Sequence, residues 1–169
     1  VRPKIHAIRL KDTDVLHTKI LDHSDFLKLK EICFRPKEQL VLSLLYFGGL
    51  RLSELVNLKI EHFDLTRGVI QFPRKGGSIH NLSPYNKDAI FRPFDLYLNK
   101  QHNGSVFLFP GRSEKSLTPR AMYNYIQKML RRAEITDKAI TPHSFRKACA
   151  TMLYAQSKDL LFVRDYLNH

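Results

Sequence analysis

Four stretches of this chain carry residue types suited to gripping a phosphate. Gly48-Gly49 runs directly into Leu50-Arg51-Leu52-Ser53-Glu54-Leu55, and Arg74-Lys75-Gly76-Gly77 follows. Thr141-Pro142-His143-Ser144-Phe145-Arg146 comes much later, and the sequence closes on Tyr166-Leu167-Asn168-His169. A guanidinium presents a planar fork of donors that matches two phosphate oxygens at once. Glycines beside Arg51 let backbone and ligand approach closely, and Glu54, three residues on, is placed to orient the guanidinium. Lys75, next to Arg74 on a turn, would meet DNA phosphate as a point charge. His143 and Arg146 share a face in the first turns of a capped helix, where free N–H groups and the helix dipole favour an anion. That face is expected to turn away from the apolar stripe of the same helix. Singly, each stretch has a plainer reading: an Arg–Glu helix pair, a solvated turn lysine, two polar residues at a helix end. The Gly49–Leu55 and Thr141–Arg146 stretches read as the two halves of one phosphate clamp, with the Arg74–Gly77 turn between them.

The elements that must hold them follow from periodicity and punctuation. Residues 1–23 are mixed and polar and read as a linker or entry segment leading into a domain over 24–169. Ser24 is expected to cap a helix to about Cys33. Pro36 suits the first turn of the next helix, with Leu40, Val41, Leu44, Leu45 and Phe47 as its apolar residues and Gly48-Gly49 as its end. Arg51 to Leu58 reads as a short helix. Val69–Phe72 and Ser78–Leu82 read as two strands joined at Lys75-Gly76-Gly77, a β-ribbon with a basic tip. Asn86 to Leu98 is helical, with a kink or early break expected at Pro93. Phe107-Leu108-Phe109 is a candidate third strand. Thr118-Pro119 opens a helix to about Ala133. Thr141-Pro142 opens the clearest helix, with Phe145, Ala148, Cys149, Met152 and Leu153 at helical spacing. Cys149 is therefore core. A last helix covers about Lys158 to Leu167. The fold class is mainly α with a small antiparallel β-ribbon (α+β).

Composition narrows the partner. The 169 residues hold 28 Lys+Arg against 16 Asp+Glu, a formal charge of +12. A domain this basic expects a polyanion, double-stranded DNA first, with an anionic membrane surface as second candidate. The most apolar run, Leu40 to Leu50, falls far short of the ~20 residues of a membrane span. Cys33 and Cys149 build no disulfide framework, which suits a reducing, cytoplasmic setting. The eight histidines show no metal-ligand spacing, so no metal and no cofactor are expected. The first residue is not Met, so the chain is expected to begin inside a longer protein.

The ordered set Arg51, Lys75, His143-x-x-Arg146 and His169 resembles the catalytic domain of the tyrosine recombinases, the family of phage integrases and Xer-type resolvases. Gly49-Leu50-Arg51-Leu52-Ser53-Glu54-Leu55 is similar to its first motif, Asp64 to Pro84 to its lysine-bearing hairpin, and Pro142 to Met152 to its second motif. Phe145 and Lys147 depart from the usual His-x-Leu-Arg-His, and Asn168 stands where glycine is usual. Asn tolerates left-handed backbone, so the turn is expected to survive.

The resemblance implies metal-independent DNA cleavage and rejoining through a 3′-phosphotyrosyl intermediate. Arg51 and Arg146 would grip the non-bridging oxygens, with Glu54 supporting Arg51. Lys75 would be the general acid, His143 would assist proton removal, and His169 would hydrogen-bond the phosphate. Arg74, His80, Arg120 and Lys147 are the further expected DNA contacts. The nucleophile is expected just beyond His169, leaving this chain truncated and inactive alone. Tyr166 lies on the wrong side of the motif, and Tyr154 reads as packing. The full-length protein would act as a homotetramer on DNA, while the fragment would be monomeric. Two other readings fit the same residues: a non-catalytic DNA-binding module and a type IB topoisomerase-like enzyme.

Overall fold

The computed structural model describes residues 18–74 and 76–168. Its elements are α1 (His23–Ile32), α2 (Pro36–Tyr46), α3 (Leu52–Val56), β1 (Phe63–Asp64), β2 (Val69–Pro73), β3 (Ile79–Leu82), α4 (Lys87–Lys100), α5 (Pro119–Arg132), α6 (Pro142–Ser157) and α7 (Leu160–Tyr166). The architecture is mostly helical with one small antiparallel sheet, as the sequence predicts.

α2 is the central pillar. Leu40, Val41, Leu42, Leu44 and Leu45 are all at most 2% exposed, so nearly its whole circumference is covered. It packs against α4 on one side and α6 on another. Three helices begin with proline in the first turn, where its missing N–H costs nothing: Pro36, Pro119 and Pro142. Thr118 caps α5 by accepting from the Ala121 N–H at 3.1 Å. The strands pair in the order β1-β2-β3. The register Ile70↔Leu82 and Phe72↔His80 puts those four side chains on the buried face.

Several expectations change. α1 is capped at Asp22 rather than Ser24. Leu21 is buried and its N–H donates to the Ser144 carbonyl at 3.3 Å, so residues 18–22 pack against the domain; residues 1–17 of the expected linker or entry segment lie outside the described residues. α4 runs through Pro93 to Lys100 without breaking. Ile90, Phe94 and Tyr97 are buried at i, i+4 and i+7 along α2, and that packing offsets the roughly 3 kcal/mol a mid-helix proline costs. Phe107–Phe109 is not a strand. Phe107 makes one isolated bridge to Lys59, while the Leu108 carbonyl accepts from the Tyr97 hydroxyl at 2.8 Å. The third strand is β1, paired with β2. The last helix starts at Leu160, after Lys158 in a left-handed conformation at φ +54°.

Candidate functional site

The site begins where α2 stops. Gly49 takes φ +64°, which reverses the chain at little cost for glycine alone. A Cβ there would lie 2.4 Å from Leu167 Cδ2 and 3.0 Å from Cys149 Sγ, so the turn, α6 and the end of α7 meet with no room to spare. Gly49→Ala is therefore expected to destabilise the protein by about 2–3 kcal/mol through strain and overpacking, read as a lower urea midpoint with an unchanged m-value. Beyond this turn Arg51 is the N-cap of α3 in extended geometry. Glu54 accepts twice from it: Oε2 from the Arg51 backbone N–H at 2.8 Å and Oε1 from Nη1 at 2.9 Å. One carboxylate thus fixes the helix start and the guanidinium together.

Arg146 corrects the expectation of a face turned away from the apolar stripe of its helix: it is 4% exposed. Residue 146 is three before Cys149 and seven before Leu153, which places it on the buried side of α6. Each terminal nitrogen of its fork makes one bond to backbone, with Nη1 donating to the Gly49 carbonyl and Nη2 to the Leu167 carbonyl, both at 2.6 Å. Burial first, and then the nearby Arg51 charge, lower its pKa to about 10, which still leaves it charged at neutral pH.

The C-terminal end of α7 gathers these groups. Three consecutive carbonyls each accept from a different element: Tyr166 is 3.2 Å from His80 Nε2 on β3, Leu167 receives Arg146, and Asn168 receives Arg51 Nη1 at 3.3 Å. A helix C-terminus leaves its last carbonyls unpaired and its dipole favours cations, so this end is a natural seat for two arginines. Asn168 is at φ +57°, the left-handed geometry its side chain tolerates.

The remaining expected residues separate. His143 is half-buried and lines the same cleft as Arg51 and Arg146. Arg74 is exposed at the end of β2, and Arg120 is exposed in the first turn of α5. His80, expected as a DNA contact, is 4% exposed, with both ring nitrogens directed at protein groups. Lys147 donates to the Thr18 carbonyl at 2.6 Å. Lys75 and His169 lie outside the described residues. Tyr166 is buried; its hydroxyl donates to the Phe47 carbonyl at 2.7 Å, and burial pushes its pKa up, which suits a structural post. Tyr154, expected to pack, is 42% exposed with the Lys158 ammonium 5.5 Å over its ring. Cys149 is core, its thiol pushed up to about 12 by burial.

Arg51 lies on a rim shared by two open clefts. One, of about 980 Å³, also takes in His143, Arg146, Ser53, Tyr123 and Lys138. The other, of about 670 Å³, reaches Glu54, Phe72, Arg74 and Asn168 on the sheet side. Tyr123 and Lys138 carry no signal in the sequence, since neither belongs to a motif. The inward turn of His80 did have one, because residues two apart on a strand share a face and Leu82 is core. Among the described residues, no group of three or more His, Cys, Asp or Glu side chains is positioned to hold a metal ion, and no helix is long and apolar enough to cross a membrane.

Residues 19–169 match the sequence model of the phage integrase family. The chain belongs to that family. Among curated relatives, the integrase-family chain is 36% identical over 140 residues to tyrosine recombinase XerC of Pseudomonas aeruginosa, covering 79% of this chain and 44% of the relative. It is 27% identical to tyrosine recombinase XerA of Pyrococcus horikoshii over 89% of this chain and 53% of the relative. The chain thus spans about half the length of the relatives it matches. Among solved structures, XerA recombinase superposes with a TM-score of 0.77 at 22% identity, over 89% of this chain and 56% of that one. XerH site-specific recombinase bound to its difH substrate gives 0.74 at 22% identity, over 89% and 47%. A lambda integrase dimer bound to a COC′ core site gives 0.69 at 17% identity, over 90% and 58%. At these identities the superpositions establish the fold.

Proposed function

We propose that this chain is the catalytic domain of a site-specific DNA recombinase, and that the Arg51–Arg146 cleft holds the scissile phosphate. The observation that carries the reading is the seating of both arginines on adjacent carbonyls of one turn. A guanidinium has five N–H donors, and these contacts occupy only some of them. Two guanidinium groups fixed before substrate arrives match the charge that grows on the equatorial oxygens during phosphoryl transfer. His143, on the cleft wall, hydrogen-bonds the phosphate and helps take the proton from the nucleophile. Lys75 protonates the departing 5′ oxygen, and His169 adds a donor to a phosphate oxygen. The nucleophile is a tyrosine C-terminal to His169, and its 3′ linkage keeps the phosphodiester energy for rejoining. Arg74, Arg120 and Lys147 meet DNA backbone, which supplies affinity and register without sequence choice. The two free cysteines, both buried, fit a reducing cytoplasmic setting. The domain spans residues 24–169 with the docked stretch from Thr18, and four copies of the full-length protein act on two duplexes.

Incubating the full-length protein with nicked DNA in EDTA tests this reading. An SDS-resistant protein–DNA adduct is expected. Salt-sensitive binding with no adduct on any accepted site would instead favour a non-catalytic DNA-binding module.

A further inference from the structure

His80 has a use for both ring nitrogens, and the partners dictate its chemistry. Arg74 Nη2 lies 2.9 Å from Nδ1, and a guanidinium can only donate. Nδ1 must therefore accept, and the ring proton resides on Nε2. That N–H points at the Tyr166 carbonyl, 3.2 Å away, which can only accept. The ring is thus neutral and held in one tautomer. Phe72 covers one side at 5.1 Å between ring centroids, and the residue is 4% exposed.

The place of this ring matters because Tyr166 is the first of the three carbonyls that seat His80, Arg146 and Arg51 in turn. We propose that His80 is a positioning residue: its Nε2–H ties the sheet to the turn that seats both arginines, while its Nδ1 holds Arg74 at the rim of the cleft. This deepens the reading of the cleft as a phosphate site and rests on it. It replaces the expectation that His80 itself touches DNA. Protonating Nδ1 would set an N–H against the Arg74 guanidinium and break the link.

The surroundings oppose that protonation. Burial is the largest influence lowering the His80 pKa below the ordinary histidine value; the Tyr166 carbonyl raises it, Arg74 lowers it, Glu54 of α3 raises it and Arg146 of α6 lowers it. Below about pH 6.5 the unfolded chain takes up a proton that the folded ring resists. The unfolded state then binds more protons, so stability falls as pH falls through that window.

Two measurements on the full-length protein test the assignment. The first is nitrogen-15 NMR of the imidazole. At pH 7 the His80 ring is expected neutral with its proton on Nε2, and in Arg74→Met its pKa is expected to rise, since an opposing charge has gone. A proton on Nδ1, or a ring that titrates at or above the ordinary value in the unmodified protein, overturns the proposal. The second compares His80→Leu, His80→Gln and His80→Asn for adduct formation at saturating DNA, with each variant's folded fraction measured by circular dichroism. Gln places an amide donor near Nε2 and keeps the Tyr166 link; Asn places an acceptor near Nδ1 and falls short of Tyr166. Loss of a hydrogen bond that orients a metal ligand typically costs about 10–100-fold, and the lower end of that scale suits a bond that orients the arginine seat. Leu and Asn are expected to fall by on the order of 10-fold, with Gln recovering most of the rate. Equal rates for all three at equal folded fraction overturn the positioning role, and if Leu does not fold, Gln against Asn still decides. Should the unmodified protein form no adduct, the cleavage reading fails, while the NMR experiment still decides whether the ring is held as described.

Discussion

Arg146→Ala is expected to cut DNA cleavage by the full-length protein on the order of 10²-fold or more and also to lower its melting temperature. Both effects come from the same two bonds. The guanidinium lies inside the protein and satisfies the Gly49 and Leu167 carbonyls at 2.6 Å each. Alanine leaves both acceptors without their donor, and each buried orphan costs about 1–3 kcal/mol. A net loss of about 3 kcal/mol corresponds to roughly 6–12 °C in a domain of this size. The catalytic loss is larger, on the order of 10²-fold or more, as expected for removing a donor aimed at developing charge. Calorimetry and single-turnover cleavage measured side by side separate the two effects. A melting temperature within about 2 °C of the unmodified protein would show that these carbonyls find other partners and that Arg146 is not a structural post.

Arg51→Ala is expected to cost as much in cleavage and little in stability. The Arg51 side chain is 37% exposed, and its pair with Glu54 is partly solvated. Pairs in that setting contribute about 0–1 kcal/mol, so the melting temperature should hardly move. The cleavage rate should still fall on the order of 10²-fold or more, because the lost donor faces the cleft. Arg51→Lys should recover little of it, since an ammonium cannot reach Glu54, the Asn168 carbonyl and a phosphate oxygen with one planar fork. A lysine variant that cleaves at near the original rate would contradict the bidentate role.

The contrast between the two arginines marks what was legible in the sequence. Helix starts were plain because proline in the first turn with a small polar residue before it has a local cause, as at Thr118-Pro119 and Thr141-Pro142. The ribbon was plain from its glycine turn and alternating strands. The membership of Arg51, His143 and Arg146 in one cleft followed from their order and resemblance to a family, and the structure brings those three together. What stayed hidden is where polar side chains go once buried. Arg146, His80 and Glu38 were all read as surface or left unremarked, yet each is at most 4% exposed. Their partners are mostly backbone carbonyls, which carry no residue-type signature, or a distant side chain, as when Arg132 pairs with Glu38 and donates to the Ile32 carbonyl at 2.9 Å. Periodicity did hold a clue for two of them. Arg146 shares a helix face with Cys149 and Leu153, and His80 shares a strand face with Leu82. Giving those positions to the core required accepting a buried charge at Arg146 and a buried polar ring at His80, each costly unless it is hydrogen-bonded. Here the end of α7 supplies one bond to each, with Gly49 and Arg74 supplying the other, and these partners carry no signature beside either residue.

The most direct test of the account is to trap the cleavage product of the full-length protein on a nicked suicide DNA in EDTA, digest it, and identify the modified residue by mass. The expected result is one tyrosine C-terminal to His169 joined to the 3′ phosphate, formed without metal and lost in both Arg51→Ala and Arg146→Ala. A 5′ linkage, a requirement for a divalent cation, or an adduct undiminished in both variants would contradict the assignment of the Arg51–Arg146 cleft as the place where the phosphate is cut.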